Sequence, residues 1–305
     1  MAFLYLLEKI RIPVLNEFML TITTLGEETA FLVAALIVFW CVDKRKGYYV
    51  LGVGLVGSLA SQFMKILCRI PRPWVRDPDF TVLEEAKAAA GGYSFPSGHT
   101  QSAVGTFGAI AASVKKRAVR IVCIVLAVMV GVSRMYAGVH TPEDVIVGAL
   151  ISLILIFALR PLILGKGERF VPWVFGGLLA LSAAYVVWLE AWSFPADLDA
   201  ENYASAVKNA YTFLGCFAAL PVVYLADETR LHFSTKAVWW AQILKTLGGL
   251  VMVLLVKEGL RSPLEALFAG HLAARAVRDF LVVLVAGILW PLSFRWFGKL
   301  GKREA

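Results

Sequence analysis

The sequence predicts an all-α, polytopic membrane helical bundle with about nine crossings. Of its 305 residues, 59% are hydrophobic and only 17% are charged, a balance that a soluble domain of this length cannot bury. Apolar stretches close to the length that crosses the hydrocarbon core of a bilayer, about 17–25 residues, recur along the chain. Clusters of Lys and Arg occupy alternate short loops, as the positive-inside rule requires. We expect a core of about five to six helices, followed by a C-terminal bundle of about four helices.

The predicted spans follow one another along the chain. They are Thr29 to Val42, Tyr48 to Leu67, His99 to Val114, Ile121 to Val139, Val145 to Leu159, Val171 to Trp188, Tyr211 to Leu225, Val238 to Val256 and a last span ending near Phe294. The segment Val14 to Leu25 is expected to form an amphipathic or partly inserted helix ahead of them. No secretory signal is predicted, because Lys9 and Arg11 follow the apolar run Phe3 to Leu7 instead of preceding it.

The orientation of the bundle follows from its basic loops, since cytoplasmic loops carry the excess of Lys and Arg. The loop residues predicted to be cytoplasmic are Lys44, Arg45, Lys46, Lys115, Lys116, Arg117, Arg120, Arg160, Lys166 and Arg169, with Arg295, Lys299, Lys302 and Arg303 near the C-terminus. The formal charge of +8 is explained by this topology and by attraction to anionic headgroups of membrane lipids. No nucleic-acid partner is therefore expected.

The positions of unusual polar residues divide the chain into two predicted domains. All of the clusters occur in residues 1–165, which we expect to form the functional membrane core. Residues 166–305, after a polar break at Gly165 to Glu168, are expected to form a second transmembrane bundle. That bundle carries no recognisable chemical motif, so its role stays open, and a homo-oligomer could form through it. The four cysteines lie in or beside apolar spans without paired spacing, which predicts neither a disulfide framework nor a metal cluster.

The first polar cluster runs from Lys65 to Pro73 and reads K-I-L-C-R-I-P-R-P. Lys65 lies near the outer end of an apolar helix, where a cation is costly unless it snorkels to the interface or meets an anion. Pro71 and Pro73 end the helix and hold Arg72 nearby. The segment is therefore either a set of interfacial cations or part of an anion site.

The second cluster, Phe95 to Thr100, reads F-P-S-G-H-T and opens an apolar span. A proline, a serine and a glycine at a helix start leave backbone N–H groups free beside a hydroxyl, and this arrangement binds anions. His99 is positioned to donate a proton to a leaving oxygen. Alternatively, Ser97 is an ordinary helix cap and His99 an interfacial polar residue.

The third cluster, Ser133 to Asp144, reads S-R-M-Y-A-G-V-H-T-P-E-D. Arg134 offers a planar fork suited to phosphate oxygens. Asp144, four residues after His140, can fall on the same helix face, accept the imidazole N–H and leave the other ring nitrogen free as a nucleophile. Alternatively, the residues Thr141 to Asp144 form an ordinary helix start with Thr as cap and Pro in the first position.

The ordered pattern K-x6-R-P, P-S-G-H and S-R-x5-H-x3-D resembles that of the type 2 phosphatidic acid phosphatase family, which is related to the vanadium haloperoxidases. Every motif position is filled, and the resemblance covers residues 14–165, about half of the chain. It implies a catalytic membrane core of the family's fold in residues 1–165. It also implies a lipid phosphate phosphatase that works through a phosphohistidine.

The resemblance assigns a role to each motif residue. His140 would attack phosphorus, Asp144 would orient its ring, and His99 would protonate the departing lipid oxygen. The phosphoryl oxygens would be held by Lys65, Arg72, Ser97, the Gly98 amide and Arg134. No metal or other cofactor is expected, because no Asp, Glu or His cluster of ligand spacing accompanies these residues.

The resemblance leaves the substrate open. We expect a lipid phosphate, with undecaprenyl diphosphate the first candidate and phosphatidate, phosphatidylglycerol phosphate and a sphingoid-base phosphate as alternatives. A lipid phosphotransferase has the same sequence requirements, and a lipid-phosphate binding scaffold is the non-enzymatic alternative. The expected location is a bacterial cytoplasmic membrane, with the active site on the non-cytoplasmic face.

Overall fold

The computed structural model describes residues 1–88, 90–165, 170–195 and 198–300, and every regular element within these ranges is helical. Four basic residues that contributed to the predicted topology lie outside the described residues, namely Lys166, Arg169, Lys302 and Arg303. Most of the predicted break after Gly165 also lies outside them.

Helices of very different lengths follow one another along the described chain. They are α1 (Ala2–Glu8), α2 (Pro13–Thr24), α3 (Glu28–Ile37), α4 (Lys44–Cys68), α5 (Pro73–Arg76), α6 (Glu84–Ala88), α7 (Gly98–Ser113), α8 (Arg117–Tyr136), α9 (Pro142–Ile163), α10 (Val171–Ala191), α11 (Ala200–Ala226), α12 (Trp239–Gly259), α13 (Arg261–Leu267), α14 (Ala273–Leu284), α15 (Trp290–Leu292) and α16 (Phe294–Phe297). Single π-helical turns extend α3, α11 and α14, at Val38–Val42, Asp227–Leu231 and Val285–Leu289.

Six helical segments among the described residues are long and apolar enough to cross a membrane. They are Lys44–Arg76, Arg117–Tyr136, Pro142–Ile163, Val171–Ala191, Ala200–Leu231 and Trp239–Leu267. A seventh is present if Pro13–Thr24 and Glu28–Val42, which meet at 55°, count as one broken span. The chain is therefore an integral, multi-pass membrane protein, and the predicted all-α membrane bundle is confirmed.

Two segments that the sequence predicts as spans are not among the six or seven described segments that are long and apolar enough. The segment predicted as His99 to Val114 forms α7, whose 16 residues extend only about 24 Å at 1.5 Å per residue, which is shorter than a hydrocarbon core of about 30 Å. The last predicted span begins as α14, whose first two turns contain Arg275, Arg278 and Asp279.

Contacts along the chain define two compact units, each built from separate stretches. The first unit comprises Met1–Ala34, Tyr49–Pro161 and Phe194–Ala206, and the second comprises Ala35–Tyr48, Leu162–Ser193 and Val207–Ala305. All three polar clusters from the sequence lie in the first unit. The proposed functional boundary at residues 165 and 166 stays a prediction.

Within the first unit, the buried polar side chains of α7 find partners on neighbouring helices. Gln101 is almost fully buried and its side-chain amide contacts Ser58 Oγ and Ser152 Oγ, each at 3.4 Å. The hydroxyl of Ser152 donates to the Gln101 carbonyl at 2.6 Å. These contacts fix α7 between α4 and α9, because a buried amide without such partners would be destabilising.

The start of α7 is also held closely against α9. The backbone N–H of Ser97 donates to the Asp144 carbonyl at 2.9 Å. One turn further along α9, a Cβ at Gly148 would lie only 2.6 Å from the Ser97 carbonyl oxygen. Carbon and oxygen cannot approach so closely in a packed interior, so this position requires glycine.

Replacing Gly148 with alanine should destabilise the protein by about 1–3 kcal/mol, since the added methyl group pushes α9 away from the start of α7. The expected result is a lower midpoint of thermal unfolding of the detergent-purified protein. Gly177→Ala on α10 is the matched control, because a Cβ there meets nothing within 4 Å and alanine favours the helix. An equal loss in both variants would contradict the close approach.

Candidate active site

The structure places all eight predicted site residues at or beside helix ends in the first unit. Lys65 is in the last turn of α4, Arg72 precedes α5, Ser97 caps α7, Gly98 and His99 open α7, Arg134 is in the last turn of α8, His140 is in the α8–α9 loop and Asp144 is in the first turn of α9. These residues come from three segments that are distant in sequence.

Arg72 connects these segments through its guanidinium group. Its Nη1 donates to the ring nitrogen Nε2 of His140 at 2.9 Å and to the Val139 carbonyl at 3.0 Å. Its Nε and Nη2 donate to the carbonyls of Gly92 and Gly91 at 2.9 and 2.8 Å. Because four acceptors fix the plane of the guanidinium, Arg72 can occupy little more than one orientation.

The contact with Arg72 also determines the tautomer of His140. A guanidinium group can only donate hydrogen bonds, so Nε2 must be the acceptor and the ring proton of the neutral form lies on Nδ1. That nitrogen faces Asp144 Oδ2 at 3.4 Å and Ser94 Oγ at 3.5 Å. Nε2, the nitrogen that the sequence analysis predicted to be free, therefore carries a lone pair. This lone pair accepts the hydrogen bond from Arg72 Nη1.

Asp144 is held in place by the same residues that begin α9. Its Oδ2 accepts from the Thr141 backbone N–H at 2.8 Å, and its own backbone N–H faces Thr141 Oγ1 at 3.4 Å. This reciprocal pairing is a capping box. The two interpretations of Thr141 to Asp144 are thus compatible, because the helix cap orients the carboxylate that faces His140.

Ser94 is a site residue that the sequence analysis missed. It is buried, and its hydroxyl donates to Asp144 Oδ2 at 2.6 Å. It lies in an irregular loop before the P-S-G-H segment, where no periodicity relates it to Asp144. Only its nearness to that segment could have indicated a role.

Two groups in the site have buried nitrogen atoms without partners among the described residues. Arg134 is 0% exposed; its Nη1 donates to Thr23 Oγ1 at 2.7 Å, but its Nε and Nη2 have no acceptor, and neither has His99 Nε2 a partner. A buried guanidinium that lacks acceptors is strongly destabilising. Such donors mark the place where an anion would bind.

The remaining site residues are bonded within the first unit. Lys65 Nζ donates to the Tyr93 carbonyl at 2.6 Å. Ser97 Oγ accepts from the Thr100 hydroxyl at 2.9 Å and faces the Thr100 backbone N–H at 3.4 Å, as expected of a helix cap. Gly98 is the first residue of α7, so its N–H group has no acceptor within the helix. The helix start thus supplies a further anion-binding group.

The electrostatic environment of His140 favours its neutral form. The side chain is 1% exposed, and this burial is the main cause that lowers its pKa well below the ordinary value. The positive charges of Arg72, Arg134 and Lys65 lower the pKa further. A neutral imidazole with an unprotonated Nε2 can act as a nucleophile towards an electrophilic centre.

Comparison with known families gives two matches. The PAP2 superfamily matches residues 45–167, and a family described as "PAP2 superfamily phosphatase, transmembrane extension" matches residues 211–303. The resemblance inferred from the three motifs is thereby confirmed. The second match lies within the predicted C-terminal bundle, residues 166–305, in which the sequence analysis found no motif.

Two relatives come from Bacillus subtilis (strain 168). Phosphatidylglycerophosphatase B is 33% identical over 164 residues, which cover 50% of this chain and 76% of that protein. Undecaprenyl-diphosphatase BcrC is 27% identical over 129 residues, which cover 42% of this chain and 64% of that protein. Among solved structures, Aquifex aeolicus LpxE is 26% identical, with a TM-score of 0.44, over 52% of this chain and 92% of the other.

The geometry predicts that His140 is neutral at pH 7, with its proton on Nδ1. Because its pKa is lowered, the neutral form should persist as the pH falls from 8 through the ordinary histidine value of about 6.5. ¹⁵N NMR of histidine-labelled protein checks both points, since the chain has only four histidines and a His140→Gln variant assigns the signal. An imidazolium at pH 7, or a proton on Nε2, would contradict the arrangement.

Proposed function

Because the chain belongs to the PAP2 superfamily of lipid phosphatases, we propose that it removes a terminal phosphate from a lipid through a phosphohistidine at His140. The observation that carries this proposal is the neutral, buried imidazole, whose Nε2 lone pair faces Arg72 beside donors of Arg134 that lack acceptors. A tetrahedral phosphate supplies several acceptor oxygens together with an electrophilic centre, and therefore fits both features.

In the first step, His140 Nε2 attacks phosphorus while the bond from phosphorus to the lipid oxygen breaks. The electron pair of that bond stays on the lipid oxygen, and His99 donates a proton to it. Positive charge develops on the His140 ring, and Asp144 stabilises it through the Nδ1 proton. The hydrogen bonds from Ser94 and Thr141 to Asp144 hold the carboxylate in this position.

The phosphoryl oxygens are bound by Arg72, Arg134, Lys65 and the start of α7. Arg72 Nη1 donates to Nε2 in the structure, so formation of the N–P bond requires this N–H group to exchange Nε2 for a phosphoryl oxygen as its acceptor, without a change in the orientation of the guanidinium. The short contact supports such an exchange, because it places a guanidinium N–H directly beside the nucleophile. The negative charge of the bound phosphate also favours the protonated form of His99, as a general acid requires.

In the second step, water attacks the phosphohistidine. His99, now neutral, accepts a proton from the water, the N–P bond breaks, and phosphate leaves as His140 regains its lone pair. No metal takes part in this scheme, and metal independence stays a prediction. Its support is that, among the described residues, no three His, Cys, Asp or Glu side chains lie close enough together to hold a metal ion.

Two substrates are the leading candidates. Undecaprenyl diphosphate was the first expectation from the sequence, and one relative carries that activity in its name. Phosphatidylglycerol phosphate is favoured by the relative with the higher identity, 33%. Both lipids present a terminal phosphate at the membrane surface and long apolar chains.

The motif residues lie at helix ends opposite the basic loops, so we propose a bacterial cytoplasmic membrane with the site on its non-cytoplasmic face.

The proposal predicts phosphate release, in the presence of EDTA, from one lipid of a panel. The panel contains undecaprenyl diphosphate, phosphatidylglycerol phosphate, phosphatidate and a sphingoid-base phosphate, each assayed with detergent-purified protein. Vanadate, which mimics a pentacoordinate phosphorus, should inhibit this release. His140→Ala should reduce turnover to the background level without lowering the unfolding midpoint.

Three outcomes of this experiment would contradict parts of the scheme. Loss of activity in EDTA would exclude the metal-free mechanism, and turnover by His140→Ala would show that another group is the nucleophile. Phosphate transfer to an added lipid acceptor, without release to water, would identify a phosphotransferase.

Ser94 should act as a positioning residue for Asp144. Removing a hydrogen bond to a charged group costs about 1.5–3 kcal/mol, so Ser94→Ala should lower kcat by about tenfold to a hundredfold while KM changes little. Steady-state kinetics on the preferred lipid measures this split, and Ser94→Thr, which keeps the hydroxyl, should recover most of the activity.

Ser61→Ala is the matched control, since Ser61 is a buried serine of the same unit whose hydroxyl has no partner among the described residues. Its kcat should equal that of the wild type. A Ser94→Ala variant that raises KM instead of lowering kcat would contradict the positioning role.

A further inference from the structure

A cavity of about 720 Å³ lies within the second unit. Its lining residues come from two segments, 230–238 after α11 and 291–300 at the C-terminal end of the described chain. None of the candidate active-site residues contributes to it. Its volume is in the usual range for small-molecule sites, about 300–1,000 Å³.

The lining of this cavity combines basic and apolar side chains. Its basic members are Arg230, His232, Lys236, Arg295 and Lys299, and no Asp or Glu is present among the lining residues described. The Lys and Arg side chains are exposed and make no hydrogen bond or ion pair to any other described residue. Phe233 and Phe294 form buried parts of the wall. An anion with an attached apolar group would match both kinds of surface.

Two further lysines lie behind the aromatic walls. Lys245 is 1% exposed; its Nζ donates to the Thr235 carbonyl at 3.1 Å and lies 4.5 Å from the centre of the Phe294 ring. Lys44 Nζ lies 5.1 Å from the centre of the Phe233 ring. It also lies 2.5 Å from Asp227 Oδ2, and this carboxylate neutralises the charge of Lys44. Lys245 has no such carboxylate among the described residues, so its charge adds to the positive potential of the cavity.

The surroundings of the cavity place it at the level of lipid headgroups. Trp239, beside the lining residue Val238, is 76% exposed, and Trp296 is 59% exposed, as is typical of tryptophans at a membrane interface. Thr235 Oγ1 donates to the Val42 carbonyl at 3.2 Å, next to the basic residues 44–46. Because that loop is predicted to be cytoplasmic, the cavity faces the leaflet in which anionic lipids attract basic residues.

We propose that this cavity binds the headgroup of an anionic glycerophospholipid from the cytoplasmic leaflet. The phosphodiester lies among Arg230, Lys236 and Arg295, and the acyl chains extend over the apolar wall that includes Leu292. This site is independent of the phosphatase chemistry, because it shares no residue with the candidate active site. The lipid at this site would be a bound ligand of the second unit.

The test compares two variants that lose the same charge on the same predicted side of the membrane. The first is Arg230→Gln/Lys236→Gln/Arg295→Gln, and the control is Lys115→Gln/Lys116→Gln/Arg117→Gln in the α7–α8 loop and at the first residue of α8. The full chain is held in neutral detergent, and binding of fluorescent phosphatidylserine is measured against phosphatidylcholine. Neither lipid carries a terminal phosphate, so the candidate active site has no substrate in this assay.

The wild type should prefer phosphatidylserine, and the cavity variant should bind it about a hundredfold more weakly, since each basic residue near an anionic lipid contributes roughly fivefold. The control variant should retain wild-type affinity. Equal losses in both variants would overturn the proposal in favour of diffuse surface charge. Complete displacement of the lipid by millimolar inorganic phosphate would also overturn it, because the occupant would then be a free anion.

All variants must elute as single species with the wild-type unfolding midpoint. If the triple variant does not, the single variants Arg295→Gln and Lys236→Gln take its place. Each should then weaken phosphatidylserine binding by roughly fivefold, and wild-type affinity in both would overturn the proposal.

Discussion

The hydrogen bond from Arg72 to His140 is the contact on which the rest of the site depends. It exists because the carbonyls of Gly91, Gly92 and Val139 hold the guanidinium group in one orientation. Gly92 has a φ of 77°, a conformation that glycine adopts without strain. The contact fixes the histidine tautomer, and the tautomer fixes which nitrogen can attack. Backbone geometry in two loops therefore determines the chemistry of one side chain.

The site is electrostatically unbalanced without a ligand. Lys65, Arg72 and Arg134 lie near His140, whose pKa they lower, while Asp144 is the carboxylate that contacts this histidine. Buried positive charges that are not balanced by negative charges destabilise a fold, so a bound phosphate would offset a cost that these cations impose on the protein. This arrangement favours binding of a phosphoryl group, whose oxygens carry negative charge in the transition state.

The sequence could predict helix ends and residue types but not contacts between segments. The three motifs and the cap at Thr141 are local patterns, and the structure places their residues near one another. The roles of these residues in a site stay predictions. The position of Ser94 against Asp144 depends on a loop conformation that no periodicity encodes. The predicted count of about nine spans differs from the six or seven described segments that are long and apolar enough, because α7 is short and α14 carries charges near its start. The cavity in the second unit is formed by the segments 230–238 and 291–300, which only folding brings together.

Covalent phosphorylation of His140 is the step on which the proposed chemistry rests, and trapping that intermediate tests it most directly. The purified protein would be mixed with a lipid substrate labelled with ³²P in its terminal phosphate, quenched in alkali and digested. We expect a label that is stable in base, is lost in acid and resides on the peptide containing His140. A label on another residue, or turnover without any labelled protein at the shortest quench times, would contradict the phosphohistidine mechanism.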